Sequence, residues 1–521
     1  MGKRLAKLCS AELEGIHAKP IEVEVDINVG LHSFTIVGLA DKALSEARER
    51  VNSALKNSGV KPPTRENRKI TVNLAPADVK KTGSHYDLAI ALGYLMASGQ
   101  IAPFEADDAM FIGELSLAGE LRPASGALAF AELAKRSGRR RLFLPAANAL
   151  EAGIVKGIAV HPLATLSELI LHLENKKTLP AVTAEFSPAA GASSVDISEV
   201  KGQEHAKRAL CVAAAGGHNM LMIGPPGSGK SMLAQALNSI LPPLTLEEAL
   251  EATAVWSAAG LNETGLKTSR PFRSPHQSAS LVSVVGGGTN PRPGEASLAH
   301  RGVLFLDELP EFHRDLLEAL RQPMESGVVH VARAKGTVAF PARFMLVAAM
   351  NPCPCGYATD DERRCTCSPY EIIQYQKKLS GPLLDRIDLQ LHVPRVPLDE
   401  IRKPSAGASD SVHARTDAAK RSALVREAVA AARTVQEKRF AGTLPRIHTN
   451  AEMSAKQCDE LIRLGEREEE FLKTALEKSM LSARGYYRLL KTARTIADLE
   501  ASESVRVPHL AEALSYRIRE T

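Results

Sequence analysis

Residues 224–231 read GPPGSGKS, between an apolar run at 220–223 and a helix-like segment at 232–237. This matches the phosphate-binding pattern G-x-x-x-x-G-K-[ST] in the strand–loop–helix setting that the pattern needs. Glycines let backbone N–H groups close around phosphate oxygens, and the following helix directs its positive end at them. The pattern predicts an α/β fold with a parallel sheet and a nucleotide bound by Gly224, Pro225, Pro226, Gly227, Ser228, Gly229, Lys230 and Ser231.

Two side chains of this loop carry chemistry. The position of Lys230 predicts contact with the β- and γ-phosphates, and the Ser231 hydroxyl is placed to ligate Mg²⁺. ATP and Mg²⁺ are therefore the predicted cofactors. The alternative is a plain glycine-rich turn before a helix, which the Lys-Ser pair and the preceding strand both disfavour.

A second buried strand lies about 75 residues downstream. Residues 302–306 are apolar and end at Asp307 and Glu308. Ligands bind at the carboxyl ends of parallel strands. We expect Asp307 to face the nucleotide metal and Glu308 to polarise the attacking water, because phosphoryl transfer depends mainly on positioning and charge stabilisation.

Three further polar residues are candidates for the catalytic machinery. Asn351 ends another apolar strand and is predicted to sense the γ-phosphate or orient water, the alternative being a simple Asn-Pro turn. Arg386 precedes a strand and is predicted to reach a neighbouring subunit's ATP. Its alternative is a salt bridge with Asp385 or Asp388. Arg484, in the helical tail, is predicted to report nucleotide state to a lid.

The 521 residues are enough for two to four domains. Residues 1–180 alternate strand and helix signals, with strands at 21–29, 34–39 and 70–74 and helices at 44–56 and 88–96. A linker is predicted at 181–196, an ATPase core at 197–395 and a helical lid at 396–521, with a soft segment at 403–410. The predicted class is α/β throughout the first two domains and helical in the third.

The net charge and the cysteines bear on which partners and which cellular environment to expect. The net charge of +5 is compatible with nucleic acid but does not indicate it. The chain has no run of 18 apolar residues and its first residues lack an apolar signal region, so neither a membrane span nor secretion is predicted. Seven cysteines, four of them clustered, favour a metal site in a reducing cytoplasm over a disulfide framework.

The clustered cysteines form two C-x-C pairs separated by nine residues, within a polar loop that has no core of its own. Four thiolates can enclose Zn²⁺ tetrahedrally, and the metal would supply the fold that the loop lacks. Four unrelated reduced thiols are the alternative, although free cysteines are usually buried singly in apolar surroundings. A structural zinc is predicted on Cys353, Cys355, Cys365 and Cys367.

Taken in order, GPPGSGKS, Leu306-Asp307-Glu308, Asn351-Pro352, LLDRID and SARGYYR resemble the motifs of an AAA+ ATPase. Residues 270–276 with 286–288, and the hairpin-like 328–340, resemble the magnesium-chelatase and replicative-helicase branch. The N-terminal block GLHSFTIVGLADKALSEARERVNSALKNSG resembles the Lon-protease-like domain of the bacterial ComM/YifB family. The resemblance covers the whole chain. It implies a hexameric DNA motor that drives branch migration in homologous recombination during natural transformation.

The same resemblance places Arg333 and Lys335 at the tip of a hairpin that a ring would present to its pore. Cationic tips suit a phosphate backbone, single-stranded or branched, so DNA is the predicted partner. An exposed turn without a partner is the alternative for these two residues.

Two other functions remain open: a chelatase-type motor that remodels a protein partner, and an ATP-dependent Lon-like protease. The protease is disfavoured, because bulky His85 and Tyr86 follow Ser84 where active Lon domains carry small residues. No catalytic Ser–Lys dyad is assigned.

Overall fold

The computed structural model describes residues 5–39, 44, 46–65, 67–189, 195–262, 265–288, 291–333, 336–360, 362–397, 412–443, 446–479 and 482–517. The soft segment predicted at 403–410 lies outside these residues. No helix in the described part of the chain is long and apolar enough to cross a membrane.

Strands are concentrated in the first 400 residues. They are β1 Leu5–Glu14, β2 His17–Val29, β3 Ser33–Val37, β4 Arg68–Ala75, β5 Ala109–Phe111, β6 Glu114–Leu115, β7 Leu121–Arg122, β8 Arg141–Pro145, β9 Ala159–Leu163, β10 Met220–Ile223, β11 Phe272–Arg273, β12 Gly286–Gly287, β13 Arg292–Pro293, β14 Val303–Leu306, β15 Val328–Arg333, β16 Gly336–Pro341, β17 Met345–Met350 and β18 Leu389–His392.

Helices separate the strands and make up almost all of the C-terminal region. The α-helices are Ala47–Asn57, Asp87–Ser98, Ala127–Arg136, Ala149–Ala152, Leu166–Leu173, Glu204–Gly216, Lys230–Ile240, Leu246–Ala258, Leu281–Val285, Glu295–Leu298, Arg314–Ala319, Arg321–Ser326, Pro369–Gln376, Gly381–Leu384, Val412–Arg439, Ala455–Leu461, Glu466–Ser479, Ala483–Leu499 and Val507–Ser515. Short 3₁₀ turns are Pro63–Arg65, Ala146–Asn148, Ile197–Glu199, Leu309–Glu311 and Asn450–Glu452.

The N-terminal region contains three sheets, the smallest being the antiparallel pair β6-β7. Strands pair in the order β1-β2-β4-β3, antiparallel except for the parallel β3–β4 pair. A second, parallel sheet has the order β5-β8-β9. The alternating pattern predicted at 21–29 forms part of β2, whose apolar side chains at 21, 23, 25 and 27 are buried. Residues 181–189 follow this region. Val182 bridges to Val160 within it, while the backbone N–H of Ala189 donates to the carbonyl of Thr268 in the central region at 3.3 Å.

The central region contains a five-stranded parallel sheet of order β11-β14-β17-β10-β18. The side chains of β14 and β17 are buried along their whole length, as expected of parallel strands covered on both faces. Because all five strands run in the same direction, their carboxyl ends lie along one border of the sheet and their amino ends along the opposite border. These are called the carboxyl edge and the amino edge below.

The C-terminal region is helical and packs on the central sheet. Its residues share one continuous apolar core with strands β10, β17 and β18. Long-range pairs join the two regions: the Arg433 guanidinium donates to the carbonyl of Ala214, 219 residues away. The predicted class, an N-terminal α/β region, a central parallel sheet and a C-terminal helical region, is confirmed.

The N-terminal and central regions meet at a buried carboxylate. Glu151 accepts a hydrogen bond from the hydroxyl of Ser257, and at 2.8 Å one from the side-chain amide of Asn262. The Ser257 hydroxyl in turn accepts one from the backbone N–H of Gly126 at 2.9 Å. Burial raises the pKa of Glu151, and the hydrogen bonds that its carboxylate accepts offset part of that shift.

Candidate nucleotide-binding site

The loop 224–229 joins β10 to the helix Lys230–Ile240 at the carboxyl edge. Two of its glycines are required by geometry. A Cβ on Gly224 would lie 2.1 Å from the carbonyl oxygen of Val393, so the neighbouring chain admits no side chain there. Gly229 has a φ of +89°, in the left-handed region that L side chains rarely adopt. The loop therefore has the shape in which backbone N–H groups can converge on an anion.

The side chain of Lys230 folds back and hydrogen-bonds to the start of its own loop. Its ammonium donates to the carbonyls of Gly224 at 2.7 Å and Pro225 at 2.9 Å, and lies 3.3 Å from the side-chain oxygen of Asn351. Burial lowers the pKa of Lys230, while the charges of Asp307 and Glu308 act in the opposite direction. The lysine thus sits in a partly desolvated place where an anionic ligand would favour its charged form.

The predicted magnesium ligands are in direct contact. The Ser231 hydroxyl donates to a carboxylate oxygen of Asp307 at 2.6 Å, across a sequence separation of 76 residues. The other oxygen of Asp307 accepts the backbone N–H of Glu308 at 2.9 Å. An oxygen pair of this kind, one hydroxyl and one carboxylate, fits the ligand preference of Mg²⁺.

Glu308 differs from Asp307 in its surroundings and in its backbone. Its side chain is exposed, and among the described residues no hydrogen bond or ion pair holds its carboxylate. Its backbone has a φ of +52°, which is costly for a residue with a side chain and recurs at functional sites. The carboxylate is available to a ligand or a water molecule at the carboxyl edge.

Arg386 and Arg484 lie at the opposite edge of the sheet. Arg386 is buried, donates to Glu325 and to the carbonyl of Pro382, and its own carbonyl accepts the side-chain amide of Asn219, the residue before β10. Arg484 approaches the same Glu325 at 3.8 Å. Among the described residues the alternative salt bridges of Arg386 with Asp385 or Asp388 are not formed, and Glu325 is its carboxylate partner.

Strand β10 sets the separation between these arginines and the loop. Five residue steps lie between Asn219 and Gly224, which span roughly 16 Å in a strand. The structure thus brings together Lys230, Ser231, Asp307, Glu308 and Asn351, and leaves Arg386 and Arg484 on the far side of the same sheet.

The predicted hairpin is present as strands β15 and β16, in antiparallel register from Val328–Pro341 to Arg333–Gly336. Its base is anchored, because Val331, Val338 and Phe340 are buried. Arg333 is the last residue of β15, while Lys335 lies outside the described residues, as does the side chain of Arg333.

The four clustered cysteines converge on one point. All four sulfur atoms lie within 4.8 Å of one another, and the Sγ–Sγ distances from Cys353 to Cys355 and Cys365 are 3.3 and 3.7 Å. A tetrahedral zinc with Zn–S bonds of about 2.3 Å requires sulfurs about 3.8 Å apart. The thiols are free rather than paired in disulfides. The arrangement of Cys353, Cys355, Cys365 and Cys367 fits a four-thiolate metal site.

This cysteine loop touches the nucleotide loop. Cys353 follows two residues after Asn351, and a Cβ on Gly356 would lie 2.6 Å from Pro226. The far part of the loop is tied to the segment after β18, since Asp360 pairs with Arg395 at 3.0 Å. The loop therefore packs against one wall of the P-loop.

Ser84 of the N-terminal region is not arranged as a nucleophile. Its hydroxyl donates to the carboxylate of Glu114. The nearby Lys81 is buried and donates to the carbonyl of Pro76. A Ser–Lys dyad requires the amine to accept the serine proton, and in this geometry each group is engaged elsewhere.

Sequence reasoning missed the partners of the two arginines. Glu325 sits 61 residues before Arg386 and belongs to no motif, so no local pattern could have identified it. Gln203 was also missed; its side-chain amide reaches the carbonyls of Pro394 and Ser228, which holds the P-loop against the end of β18.

Three family models match the chain in succession. "Subunit ChlI of Mg-chelatase" matches residues 23–148, "Magnesium chelatase, subunit ChlI" matches 196–401, and "Magnesium chelatase, subunit ChlI C-terminal" matches 419–517. One match falls in each of the three structural regions, and the first leaves out strands β1 and β9.

Curated relatives are similar to the chain over nearly their whole length. The chain is 43% identical over 519 residues to Competence protein ComM of Haemophilus influenzae, covering 98% of this chain and 97% of that protein. It is 44% identical over 506 residues to the uncharacterized protein YifB of Escherichia coli, covering 96% and 95%. A stretch of 54 residues, 10% of the chain, is 48% identical to an archaeal Lon protease of Thermococcus kodakarensis, of which it covers 8%.

Proposed function

Because the chain belongs to the ComM/YifB family of magnesium-chelatase-like AAA+ ATPases, we propose that it is a hexameric, ATP-driven DNA motor. In this proposal it moves branched DNA during the homologous recombination of natural transformation. The observation that carries the DNA assignment is the near full-length similarity to a protein named for competence, the capacity to take up DNA.

The residues of the carboxyl edge would bind and hydrolyse ATP. Lys230 would exchange its two loop carbonyls for phosphate oxygens, and Ser231 with Asp307 would hold Mg²⁺, which neutralises phosphate charge when bound. Glu308, whose carboxylate no described residue engages, would orient water and accept its proton. Asn351, already in contact with Lys230, would sense the γ-phosphate.

In this proposal, each ATP site is completed by arginines from an adjacent subunit. Arg386 and Arg484 lie at the amino edge, and strand β10, which spans roughly 16 Å, separates that edge from the P-loop and so from a nucleotide bound there. In a ring, the amino edge of one subunit can face the carboxyl edge of the next. Glu325 would then hold Arg386 and Arg484 together until the neighbour's ATP replaces it, and an arginine so placed stabilises transition-state charge.

DNA binding is assigned to Arg333 and Lys335, at the end of a hairpin whose base packs in the apolar core. A phosphate backbone is bound by such cations without sequence preference. Cys353, Cys355, Cys365 and Cys367 would hold a structural zinc. Because Gly356 of the same loop lies against Pro226, the loop would support the nucleotide loop.

The test is ATP hydrolysis by the full chain with no DNA, with single-stranded DNA and with a branched junction, each at several salt concentrations. We expect DNA to stimulate hydrolysis, most at low salt because backbone binding releases counterions. Lys230→Ala measures the contaminating background. Steady hydrolysis that none of the DNA forms changes would contradict the proposal.

A chelatase-type motor acting on a protein partner is the second candidate, favoured by the three ChlI models. The same experiment separates the two, because this motor predicts hydrolysis that is indifferent to DNA.

A further inference from the structure

A cavity of about 930 Å³ lies at the amino edge of the central sheet. Asn219, Gly302, Met345 and Asp388, which begin or directly precede β10, β14, β17 and β18, form one wall. Lid residues between 443 and 491 form the other. The cavity is therefore separated from the P-loop by the length of the strands.

The lining is strongly cationic. Nine arginine and lysine side chains face five acidic ones: Arg270, Arg301, Arg343, Arg386, Arg433, Arg484, Arg488, Lys456 and Lys491 against Glu248, Glu325, Asp388, Glu452 and Glu460. A surplus of positive charge that is partly withdrawn from water favours binding of an anion.

Most of the cations are already paired. Arg270 forms a salt bridge with Glu248 at 2.8 Å, and Arg343 pairs with Glu452 at 2.6 Å. Arg301 contacts Glu452 at 3.5 Å and also pairs with Glu251 outside the lining set. These pairs occupy the carboxylates of the inner wall.

Arg433 and Lys491 are left without a carboxylate partner within 4.0 Å in the part of the chain that the structure describes. Arg433 donates its Nε and one terminal nitrogen to the carbonyl of Ala214, at 3.1 and 2.8 Å, and its Nη1 has no described acceptor. The Lys491 ammonium donates to the carbonyl of Ala451 at 3.1 Å. Both side chains thus keep donors available to the cavity they line.

The electrostatic setting of the two groups agrees with this. Burial, followed by the like charge of Arg270, lowers the pKa of Arg433 to about 10. Burial also lowers the pKa of Lys491, and both groups feel the charge of Glu452. The two cations therefore line one cavity in which positive charge is incompletely balanced.

We propose that this amino-edge cavity is a second anion site, which binds a free phosphate ion between Arg433, Lys491 and the arginines paired with Glu452. Guanidinium groups match the geometry of phosphate oxygens and donate to them in pairs. The site shares no residue with the P-loop. Arg386 and Arg484, which are assigned above to a neighbour's ATP, line another part of the same cavity and are not among the proposed phosphate ligands. The proposal does not depend on whether the motor acts on DNA or on protein.

The probe is inorganic phosphate, titrated calorimetrically into the full chain with saturating ADP and Mg²⁺, so that the P-loop is filled. Chloride at matched ionic strength is the ion control. We expect one phosphate per chain and a rise in the thermal midpoint of unfolding with phosphate but not with chloride.

Arg433→Gln should weaken phosphate affinity roughly tenfold or more, since it removes a charged hydrogen-bond donor. Arg421→Gln removes an exposed arginine from the same helix and should leave the affinity unchanged. Lys491→Gln provides an independent variant if Arg433→Gln fails to fold. Absence of binding to the wild-type chain, or equal affinity in wild type and in folded Arg433→Gln or Lys491→Gln, would overturn the proposal.

Discussion

The two edges of the central sheet use charge in different ways. At the carboxyl edge, no described residue engages the Glu308 carboxylate, and Lys230 is held by the carbonyls of its own loop and by Asn351. At the amino edge, buried Asp388 binds Arg488, Asn219 and His218, joining the sheet to the lid. The Glu308 carboxylate is left for a ligand, whereas the Asp388 carboxylate is used for packing between the sheet and the lid. Substitution of Lys230 or Glu308 should therefore impair ATP hydrolysis, whereas substitution of Asp388 should lower the free energy of unfolding.

The largest effect is expected at the carboxyl edge. Lys230→Ala should lower ATP hydrolysis by about 10³-fold or more, because phosphate charge loses its principal cation. The free energy of unfolding should change little, since Lys230 has no carboxylate partner within hydrogen-bonding distance among the described residues. Steady-state hydrolysis and chemical denaturation measure the two quantities on the same protein.

Glu308→Gln is the matched variant at this edge. It removes the proton acceptor but no phosphate ligand, so ATP should bind and remain unhydrolysed. Normal turnover by Glu308→Gln would remove Glu308 from the role of water-orienting carboxylate.

At the amino edge the effect should appear in stability. Asp388→Ala should lower the free energy of unfolding by about 3 kcal/mol, because the largely buried Arg488 is left without its partner. Asp385→Ala, three residues earlier, removes a carboxylate that forms no ion pair in the described structure and serves as the control. Equal stability of the two variants would show that the amino edge is not held by this ion pair.

The ion pair between Asp388 and Arg488 should also make the free energy of unfolding depend on pH. Burial alone would raise the pKa of Asp388, but the charge of Arg488, together with His218 and Lys491, outweighs burial and holds the pKa well below its usual range. A depressed folded-state pKa contributes stability above the unfolded pKa of about 4, and this contribution is lost as pH falls below it. Acid unfolding should therefore shift to higher pH in Asp388→Ala.

The contrast between the edges also explains how much the sequence could predict. The carboxyl edge was predictable because GPPGSGKS is contiguous, and Asp307, Glu308 and Asn351 each follow an apolar strand. The four cysteines could likewise be identified from local pattern, whereas the hairpin 328–340 was expected from the family resemblance. The amino edge joins residues such as Glu325 and Arg433 from distant helices. No periodicity records which of them will meet, because lid packing decides it.

The cysteine loop lies beside the P-loop at the carboxyl edge. The zinc content of the purified protein tests whether this loop binds the metal. Protein purified without added metal should contain one zinc per chain. Removing the metal with a chelator should speed amide exchange in 353–367 and weaken ATP binding modestly, because the loop rests on Pro226. Near-zero zinc in reduced, folded protein would contradict the assignment.

The smallest effect should come from the hairpin, which belongs to neither edge. Changing Arg333 and Lys335 together to Ala should leave ATP binding intact and flatten the salt dependence of DNA affinity by roughly one unit for each DNA phosphate that is no longer neutralised. Arg314→Ala with Lys377→Ala removes two exposed cations elsewhere in the central region as a control. An unaltered slope with intact DNA movement would rule out the hairpin as the DNA-binding element.

In the proposed ring, an ATP site forms where the carboxyl edge of one subunit meets the amino edge of another. Mixing two inactive variants, Lys230→Ala and Arg386→Ala, tests it directly, because each retains the edge that the other lacks. The account predicts that mixed rings hydrolyse ATP at a rate clearly above the sum of the separate variants. Demonstrably mixed rings with no gain in hydrolysis would contradict it.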